Sequence, residues 1–268
     1  HEAEELLSLI EVEYEILEPV TDVEAAMEEN APVLHDSIAS FSLGDNTFES
    51  PNIASHDQYE LGDIDKGFSE ADHTLTLERE FRTKTVHQGY IEPQNGTAWW
   101  RADGFVTVWC SSQGHFGIRD ATATVLGLPV SKVNVVPMEI GGGFGGKLPC
   151  YLEPVAALLS KKCGSPVKMF MTRTEVIEAT GPTCGSYVKA KIGITNKGKI
   201  TAAKAELYFE AGAFPGSPVG GATACMLSPY NIENLKLDGY DVVDNKPKTT
   251  AYRAPGAPLG ALVIETIL

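Results

Sequence analysis

The run Gly141-Gly142-Gly143-Phe144-Gly145-Gly146 constrains the fold more than any other part of this sequence. It lies between a predicted strand and a predicted helix. Its five glycines leave backbone N–H groups open to close approach by a ligand. The run therefore predicts a binding loop, although a glycine turn with a purely structural role fits the same short pattern.

Two nucleotide-binding patterns match this run in part. Gly141, Gly143 and Gly146 satisfy the dinucleotide fingerprint, whereas Gly141, Gly146 and Lys147 satisfy the first part of a phosphate-binding loop. Leu148 stands where the phosphate-binding loop needs a Ser or Thr hydroxyl. The dinucleotide pattern lacks its acidic residue at the end of a second strand. Neither pattern is complete, and a nucleotide-binding module remains an alternative.

Composition limits the class of protein. The chain has 268 residues, 43% of them hydrophobic and 21% charged, so it can bury a sizeable core. No apolar run approaches the roughly 20 residues of a membrane span. The net charge of -15 disfavours nucleic acid and anionic membranes as partners. The five cysteines form no C-x-x-C pair, which indicates free thiols in a reducing compartment and hence a cytoplasmic protein.

Hydrophobic periodicity predicts an α+β fold with mixed sheets and helices. Strands are predicted at 74–81, 95–100, 104–110, 133–138 and 167–172, the last buried on both faces, with a hairpin at 187–195 and 200–210. Helices are predicted at 116–126, 151–162 and 258–268, the first ended by Gly127 and the second by Gly164. The predicted inner face of the second helix consists of Leu152, Val155, Ala156 and Leu159.

The N-terminal part gives weaker signals. His1 to Leu7 resembles the end of a helix, and a half-exposed strand is predicted from the alternation of Ile10, Val12, Tyr14 and Ile16 with glutamates. Thr21 and Glu24 predict a capping box for a helix to about Glu29. The polar, aperiodic stretch 32–70 predicts a linker. The chain is thus expected to begin and end within regular elements.

The glycine run is one of a set of motifs distributed over nearly the whole chain. The set comprises Gly67-Phe68-Ser69-Glu70-Ala71-Asp72, Tyr90-Ile91-Glu92-Pro93, Ser111-Ser112-Gln113, Gly141 to Lys147, and Ala251-Tyr252-Arg253. Their order and spacing resemble those of the large subunit of molybdenum hydroxylases, the xanthine dehydrogenase and aldehyde oxidase family. The combination is far more specific than any single motif.

The resemblance implies a domain organisation. Residues 71–268 would form the first molybdenum-cofactor-binding domain, truncated at its C-terminal side, and 32–70 the linker before it. Residues 1–31 would be the C-terminal part of an α/β hammerhead-type domain. The loops 111–115, 141–148 and 251–256 are expected to converge on one metal centre.

The resemblance also implies the cofactor-binding residues. Gln113 would stand beside molybdenum, with its side-chain amide donating to an oxygen ligand of the metal. Backbone N–H groups of Gly142, Gly143, Phe144 and Gly145 would face the cofactor. Arg253 would lie behind them, next to the same site. No side chain is expected to ligate the metal directly.

Three tempting residues are given structural roles. His87 and His115 are interpreted as loop or packing histidines, because the family's metal is held by the sulfurs of its cofactor. Glu92 resembles a catalytic carboxylate, but its position corresponds to a structural strand end in the family. It is therefore not assigned as the base.

The resemblance places Leu148 and Pro255 in the wall of the substrate pocket. Leu148 stands where purine-oxidising relatives have a glutamate, and Pro255 replaces an aromatic residue that packs on a heterocycle, which disfavours xanthine. Ala254 replaces the cysteine of carbon-monoxide-oxidising relatives and disfavours that class. An aldehyde, an aromatic N-heterocycle or a related electron-poor carbon fits this wall.

The implied reaction is hydroxylation with water-derived oxygen at a molybdenum-molybdopterin cofactor. Electrons would pass to 2Fe-2S clusters and FAD on other domains or subunits, and the remaining molybdenum-binding domain would complete the site. The catalytic glutamate is expected beyond Leu268, so this piece alone is expected to lack cofactor and activity. The alternative is a non-catalytic pterin- or nucleotide-binding module.

Overall fold

Five strands form the larger of two mixed sheets in the computed structural model, which describes residues 2–36, 38 and 50–268. The strands in spatial order are β1 (Ile53–Leu61), β9 (Leu235–Val243), β8 (Ile200–Gly212), β7 (Ser186–Ile194) and β2 (Thr76–Thr83). The β8–β9 pair is parallel and the other pairs are antiparallel. The predicted hairpin is confirmed as β7–β8.

The smaller sheet has four strands. Their spatial order is β5 (Val133–Pro137), β4 (Val106–Cys110), β3 (Asn95–Trp100) and β6 (Val167–Phe170). The β4–β5 pair is parallel, whereas β3 pairs antiparallel with both of its neighbours. Two mixed sheets with helices confirm the predicted α+β class.

The helices are α1 (Glu2–Leu7), α2 (Val23–Ala26), α3 (Ile64–Ser69), α4 (His115–Leu126), α5 (Glu153–Cys163), α6 (Arg173–Ala179), α7 (Val219–Cys225) and α8 (Ala257–Ile267). As predicted, α4 and α5 end at Gly127 and Gly164, both in the left-handed conformation that glycine adopts without strain. Within the described residues, no helix is long and apolar enough to cross a membrane.

Each sheet packs against its own pair of helices. The larger core lies between β7, β8 and β9 and helices α7 and α8, and includes Leu207, Phe209, Leu237, Val263 and Ile264. The smaller core joins β3 and β4 to α4 and α5 through Ala98, Val106, Val108, Ile118 and Ala156. Each fully buried large apolar side chain contributes roughly 1.5–3 kcal/mol. Two loops of the smaller sheet, together with the segment between β9 and α8, carry the candidate site.

Two N-terminal predictions are wrong. Residues 10–16 form no strand, and Tyr14 and Ile16 are 78% and 90% exposed, because no described strand pairs with them. The cap of α2 is Asp22 rather than Thr21, since its carboxylate accepts hydrogen bonds from the backbone N–H groups of Glu24 and Ala25. The helix ends at Ala26 instead of about Glu29.

The segment 32–70 also differs from the prediction of a linker without regular structure. It contains β1 and α3, and β1 pairs with β9 along the edge of the larger sheet. The alternation in β1 is weak because an edge strand leaves many positions exposed to water. The limits of the proposed domains at 31 and 70 stay a prediction.

Helix α5 presents a different face to the core than predicted. Val155 and Leu159 are 48% and 41% exposed, whereas Glu153 and Ser160 are buried. The polar pair is buried because each residue has backbone partners. The Ser160 hydroxyl accepts a hydrogen bond from Trp100 N (2.9 Å), and the Glu153 carboxylate accepts one from Tyr151 N (2.9 Å). Strand β6 likewise is not buried on both faces, since Phe170 is 64% exposed.

Candidate active-site loops

The glycine loop 141–148 connects β5 to the segment that leads into α5. Its backbone folds on itself: Gly146 N donates to Gly143 O (2.8 Å) and Leu148 N to Gly145 O (3.3 Å). Phe144, which is 47% exposed, has φ of 52°, a left-handed conformation that is uncommon outside glycine. Such conformations cluster at ligand clamps and active sites, because the surrounding structure must hold them in place.

Gln113 fastens this loop to the loop between β4 and α4. Its Oε1 atom accepts hydrogen bonds from Gly145 N (2.8 Å) and Lys147 N (3.3 Å). The backbone N–H of Gln113 donates to Lys147 O (2.9 Å). Two N–H donors on one atom identify that atom as the amide oxygen. The Gln113 Nε2 group has no hydrogen-bond partner among the described residues and lies on an exposed residue. The side chain therefore offers a neutral donor whose orientation is fixed.

The third loop, 251–256, packs on the glycine loop through the backbone. Arg253 N donates to Phe144 O (2.8 Å). A Cβ atom at Gly145 would lie 2.5 Å from Ala251 O, so only glycine permits this approach. Ala254 also has a positive φ, 58°. The predicted convergence of the three loops is thus confirmed, although Gln113 and Arg253 are distant in the sequence.

The converged loops leave a set of hydrogen-bond donors without partners in the described part of the chain. These donors are the backbone N–H groups of Gly142, Gly143 and Phe144, the Gln113 side-chain amide and the Arg253 guanidinium. Gly143 has no room for a side chain, since a Cβ atom there would lie 2.5 Å from Gln113 Oε1. Neutral and cationic donors around an open backbone suit a ligand that presents anionic oxygen or sulfur atoms. The donor set therefore fits a molybdenum-molybdopterin cofactor.

Glu92 and Lys147 form an ion pair beneath the glycine loop. Lys147 Nζ lies 2.5 Å from Glu92 Oε2, and only 1% of the Lys147 side chain is exposed. Gly141 N also donates to Glu92 Oε2 (2.7 Å), and Asn95 Nδ2 donates to Oε1 (3.2 Å). Partial burial favours a higher pKa, but these hydrogen bonds outweigh it and lower the pKa of Glu92 to about 2. An ionised carboxylate with this many donors supports the loop and is a poor proton acceptor near neutral pH.

His87 and His115 make hydrogen bonds or packing contacts of different kinds. Gly89 N donates to His87 Nδ1 (3.0 Å) and His87 Nε2 lies 2.9 Å from the Thr180 hydroxyl. Burial lowers the pKa of His87, and the charge of Arg173 acts in the same direction. His115 begins α4, with a buried Nε2 that has no described partner. In the described ranges no three His, Cys, Asp or Glu residues are grouped as metal ligands.

Leu148 and Pro255 line a common cavity of about 780 Å³ beside the glycine loop. Ala251, whose carbonyl touches Gly145, lines it too, so the cavity adjoins the converged loops. Segments 149–151, 178–181, 216–218 and 247–250 complete its lining. A volume of this size is typical of small-molecule pockets.

Gln88 is a site residue that no sequence pattern indicated. It is 4% exposed, and its Nε2 donates to Gly181 O (3.1 Å) and Ala251 O (3.0 Å). A Cβ atom at Gly146 would touch its amide, at 2.9 Å from Cδ. Gln88 therefore contacts both the glycine loop and the loop 251–256 from the interior of the protein. Only its position next to His87 and the Tyr90 motif could have drawn notice to it.

The model of the molybdopterin cofactor-binding domain family matches residues 46–268. The chain belongs to this family. Its nicotinate dehydrogenase relative, the large molybdopterin subunit from Eubacterium barkeri, is 31% identical over 98% of this chain and 59% of that protein. Indole-3-acetaldehyde oxidase from Zea mays is 32% identical over 78% of this chain and 16% of that protein.

Solved structures show the same fold. Quinoline 2-oxidoreductase from Pseudomonas putida 86 superposes with a TM-score of 0.85 at 24% identity, over 99% of this chain and 33% of that chain. The aldehyde oxidoreductase from Desulfovibrio gigas gives a TM-score of 0.81 at 22% identity, over 99% and 29%. This molybdopterin-binding chain thus spans between a sixth and three fifths of the lengths of these four relatives. The comparisons give no support to a nucleotide-binding module.

Proposed function

We propose that this chain is the cofactor-binding part of a molybdenum oxidoreductase that hydroxylates an aldehyde, an aromatic N-heterocycle or a related electron-poor carbon with water-derived oxygen. The observation that carries the proposal is the convergence of Gln113, the glycine loop and Arg253 around donors that have no partner among the described residues. The named relatives include a nicotinate dehydrogenase subunit and an indole-3-acetaldehyde oxidase. Their names cover both substrate classes.

Each residue has a distinct task in this proposal. Gln113 Nε2 would be the donor that helps to hold the cofactor, because the amide oxygen is already held by Gly145 and Lys147. The N–H groups of Gly142, Gly143 and Phe144 bind anionic atoms of the cofactor in a preorganised geometry, which avoids reorganisation during the reaction. Gly145 lets the two loops meet, and Arg253 adds positive charge to the same site. The cofactor, when bound, supplies the two-electron oxidation.

The remaining machinery belongs to the proposal as well. Gln113, Phe144 and Arg253 are exposed, so another molybdenum-binding domain would have to cover them and exclude water. The base, a glutamate in the family, would come from outside these 268 residues. Electrons would leave to 2Fe-2S and flavin domains or subunits, and the free cysteines favour a cytoplasmic location.

The test is Gln113→Ala in the intact protein, with Asn196→Ala in the turn between β7 and β8 as the matched control. Molybdenum content is measured by elemental analysis, and oxidation of an aldehyde and of an N-heterocycle by electron-acceptor reduction. We expect kcat to fall at least about tenfold in Gln113→Ala, since one preorganised donor is worth a few kcal/mol. The control should keep its activity. Unchanged turnover in Gln113→Ala would contradict the placement of this amide beside the metal.

A further inference from the structure

Lys248 is a basic residue in the wall of the cavity beside the glycine loop. Among the described residues that line it, Lys248 is the only basic side chain and Glu178 the only acidic one. Glu178 is exposed to solvent, whereas Lys248 is half-buried. Leu148 and Pro255 contribute apolar wall to the same cavity. An apolar pocket with one half-buried cation is suited to a ligand that has an apolar body and one anionic group.

The ammonium group of Lys248 is only partly satisfied. Its Nζ donates to Gly216 O (2.9 Å), and no carboxylate in the described part of the chain lies within 4.0 Å of it. An ammonium has three N–H donors, so two remain for a ligand. Burial lowers the pKa of Lys248 below its ordinary value, although the charge of Asp241 opposes this. The group therefore has no carboxylate partner among the described residues and is only partly exposed to water.

Asp241 does not take the place of a ligand. Its two carboxylate oxygens accept hydrogen bonds from Gly216 N (2.6 Å) and Ser217 N (2.7 Å). These bonds hold the segment 216–217, whose Gly216 carbonyl in turn orients Lys248 Nζ. Asp241 thus positions the cation and keeps its own oxygens engaged by the backbone. Lys248 lines the cavity, and two of its three N–H donors have no partner in the described part of the chain.

We propose that Lys248 binds the carboxylate of an aromatic or heteroaromatic substrate whose ring lies against Leu148 and Pro255. This inference rests on the proposed function and names its substrate class: a ring that carries a carboxylate in addition to the carbon that is oxidised. The acidic protein repels anions at long range, with a net charge of -15. A local cation in a cavity, where screening is weak, is therefore needed to retain such a substrate.

The first test compares Lys248→Met, which removes the charge, with Lys248→Arg, which keeps it. The intact enzyme is assayed with two probes, 4-carboxybenzaldehyde and benzaldehyde. In Lys248→Met we expect kcat/KM for 4-carboxybenzaldehyde to fall about 10- to 100-fold, the effect of one charge-assisted hydrogen bond, mainly through KM. Benzaldehyde should change less than about threefold, and Lys248→Arg should recover much of the loss. Equal effects on both probes, or none, would overturn the inference.

The second test separates this inference from the proposed function, because it measures binding without turnover. The intact protein is titrated with benzoate and with benzamide by calorimetry, with Lys199→Met in the β7–β8 turn as the control. We expect benzoate to bind at least about tenfold more weakly to Lys248→Met than to the wild type, and benzamide to be unaffected. If the protein oxidises neither these aldehydes nor an aromatic N-heterocycle but shows this difference, the carboxylate binding by Lys248 stands and the proposed function fails. If it oxidises benzaldehyde and benzoate binding ignores Lys248, only the inference fails.

Discussion

Replacement of Glu92 by Gln should destabilise the chain by about 3 kcal/mol. The substitution leaves the Lys147 ammonium, with its side chain 1% exposed, without its carboxylate partner. Removal of one member of a buried ion pair typically costs about 3–5 kcal/mol. The lowering of the Glu92 pKa from 4.5 to about 2, caused in part by the same ion pair, corresponds to roughly 3 kcal/mol. That value is an upper limit, since 29% of the Glu92 side chain is exposed and water screens part of the interaction.

The sign of the pH dependence follows from the lowered pKa. The folded chain holds Glu92 ionised more strongly than the unfolded chain, so its contribution is fully present above about pH 4.5. It is lost as the pH falls through the window from 4.5 to about 2. The amide introduced by Glu92→Gln cannot titrate. The free energy of unfolding of Glu92→Gln should therefore not show this loss between pH 4.5 and about 2. The double variant Glu92→Gln/Lys147→Met removes both charges and should regain most of the loss.

Urea unfolding followed by circular dichroism measures the free energy of unfolding of each protein at pH 7 and between pH 4.5 and about 2. The free energies of unfolding of the wild type, Glu92→Gln, Lys147→Met and the double variant form a cycle that isolates the pair. The reasoning would be refuted if Glu92→Gln unfolded within about 0.5 kcal/mol of the wild type. A single variant with the same acid sensitivity as the wild type would refute it equally.

Three further predictions address other parts of the molecule. Burial and the neighbouring Glu210 raise the pKa of Asp244 from 3.8 to about 6. Between these two values the folded chain keeps Asp244 protonated while the unfolded chain releases the proton. The free energy of unfolding should therefore fall as the pH rises from 3.8 to about 6. Asp244→Asn should flatten that part of the urea-unfolding curve, and an unaltered slope would contradict this. Gly145→Ala should lower the melting temperature more than Gly164→Ala. A Cβ atom would lie 2.5 Å from Ala251 O in the first case and would meet nothing within 4 Å in the second. Equal shifts in melting temperature would contradict a close contact between the two loops at Gly145. The 268-residue chain by itself should contain little molybdenum by elemental analysis, since its donors face water; a content near one atom per chain would overturn this.

Elements with strong local signals could be predicted from the sequence. Strand β3 is found at its predicted limits, and α4 ends at the predicted Gly127, because apolar spacing and a stop residue act over a few neighbours. Strands β1 and β9 could not be predicted in the same way. Gln58 in β1 and Asp238 in β9 are paired across the sheet but lie far apart in the chain, and polar residues interrupt the alternation of both strands.

The candidate site was predictable only through the resemblance to a family. No local rule brings Gln113 to Gly145, because that contact depends on how β4 and β5 end side by side in the smaller sheet. Gln88 and Lys248 carry no motif at all, and their importance lies in long-range contacts with backbone carbonyls. The amphipathic pattern of α5 misled for a similar reason: buried backbone partners made Ser160 an interior residue.

The backbone bond from Arg253 to Phe144 has a consequence for how this protein can diversify. The two loops recognise each other through main-chain atoms and through the left-handed turns at Phe144 and Ala254. Side chains at Leu148 and Pro255, which border the neighbouring cavity, take no part in that contact. Selection can therefore exchange these two side chains, and so reshape the cavity, while the contact between the two loops is inherited intact.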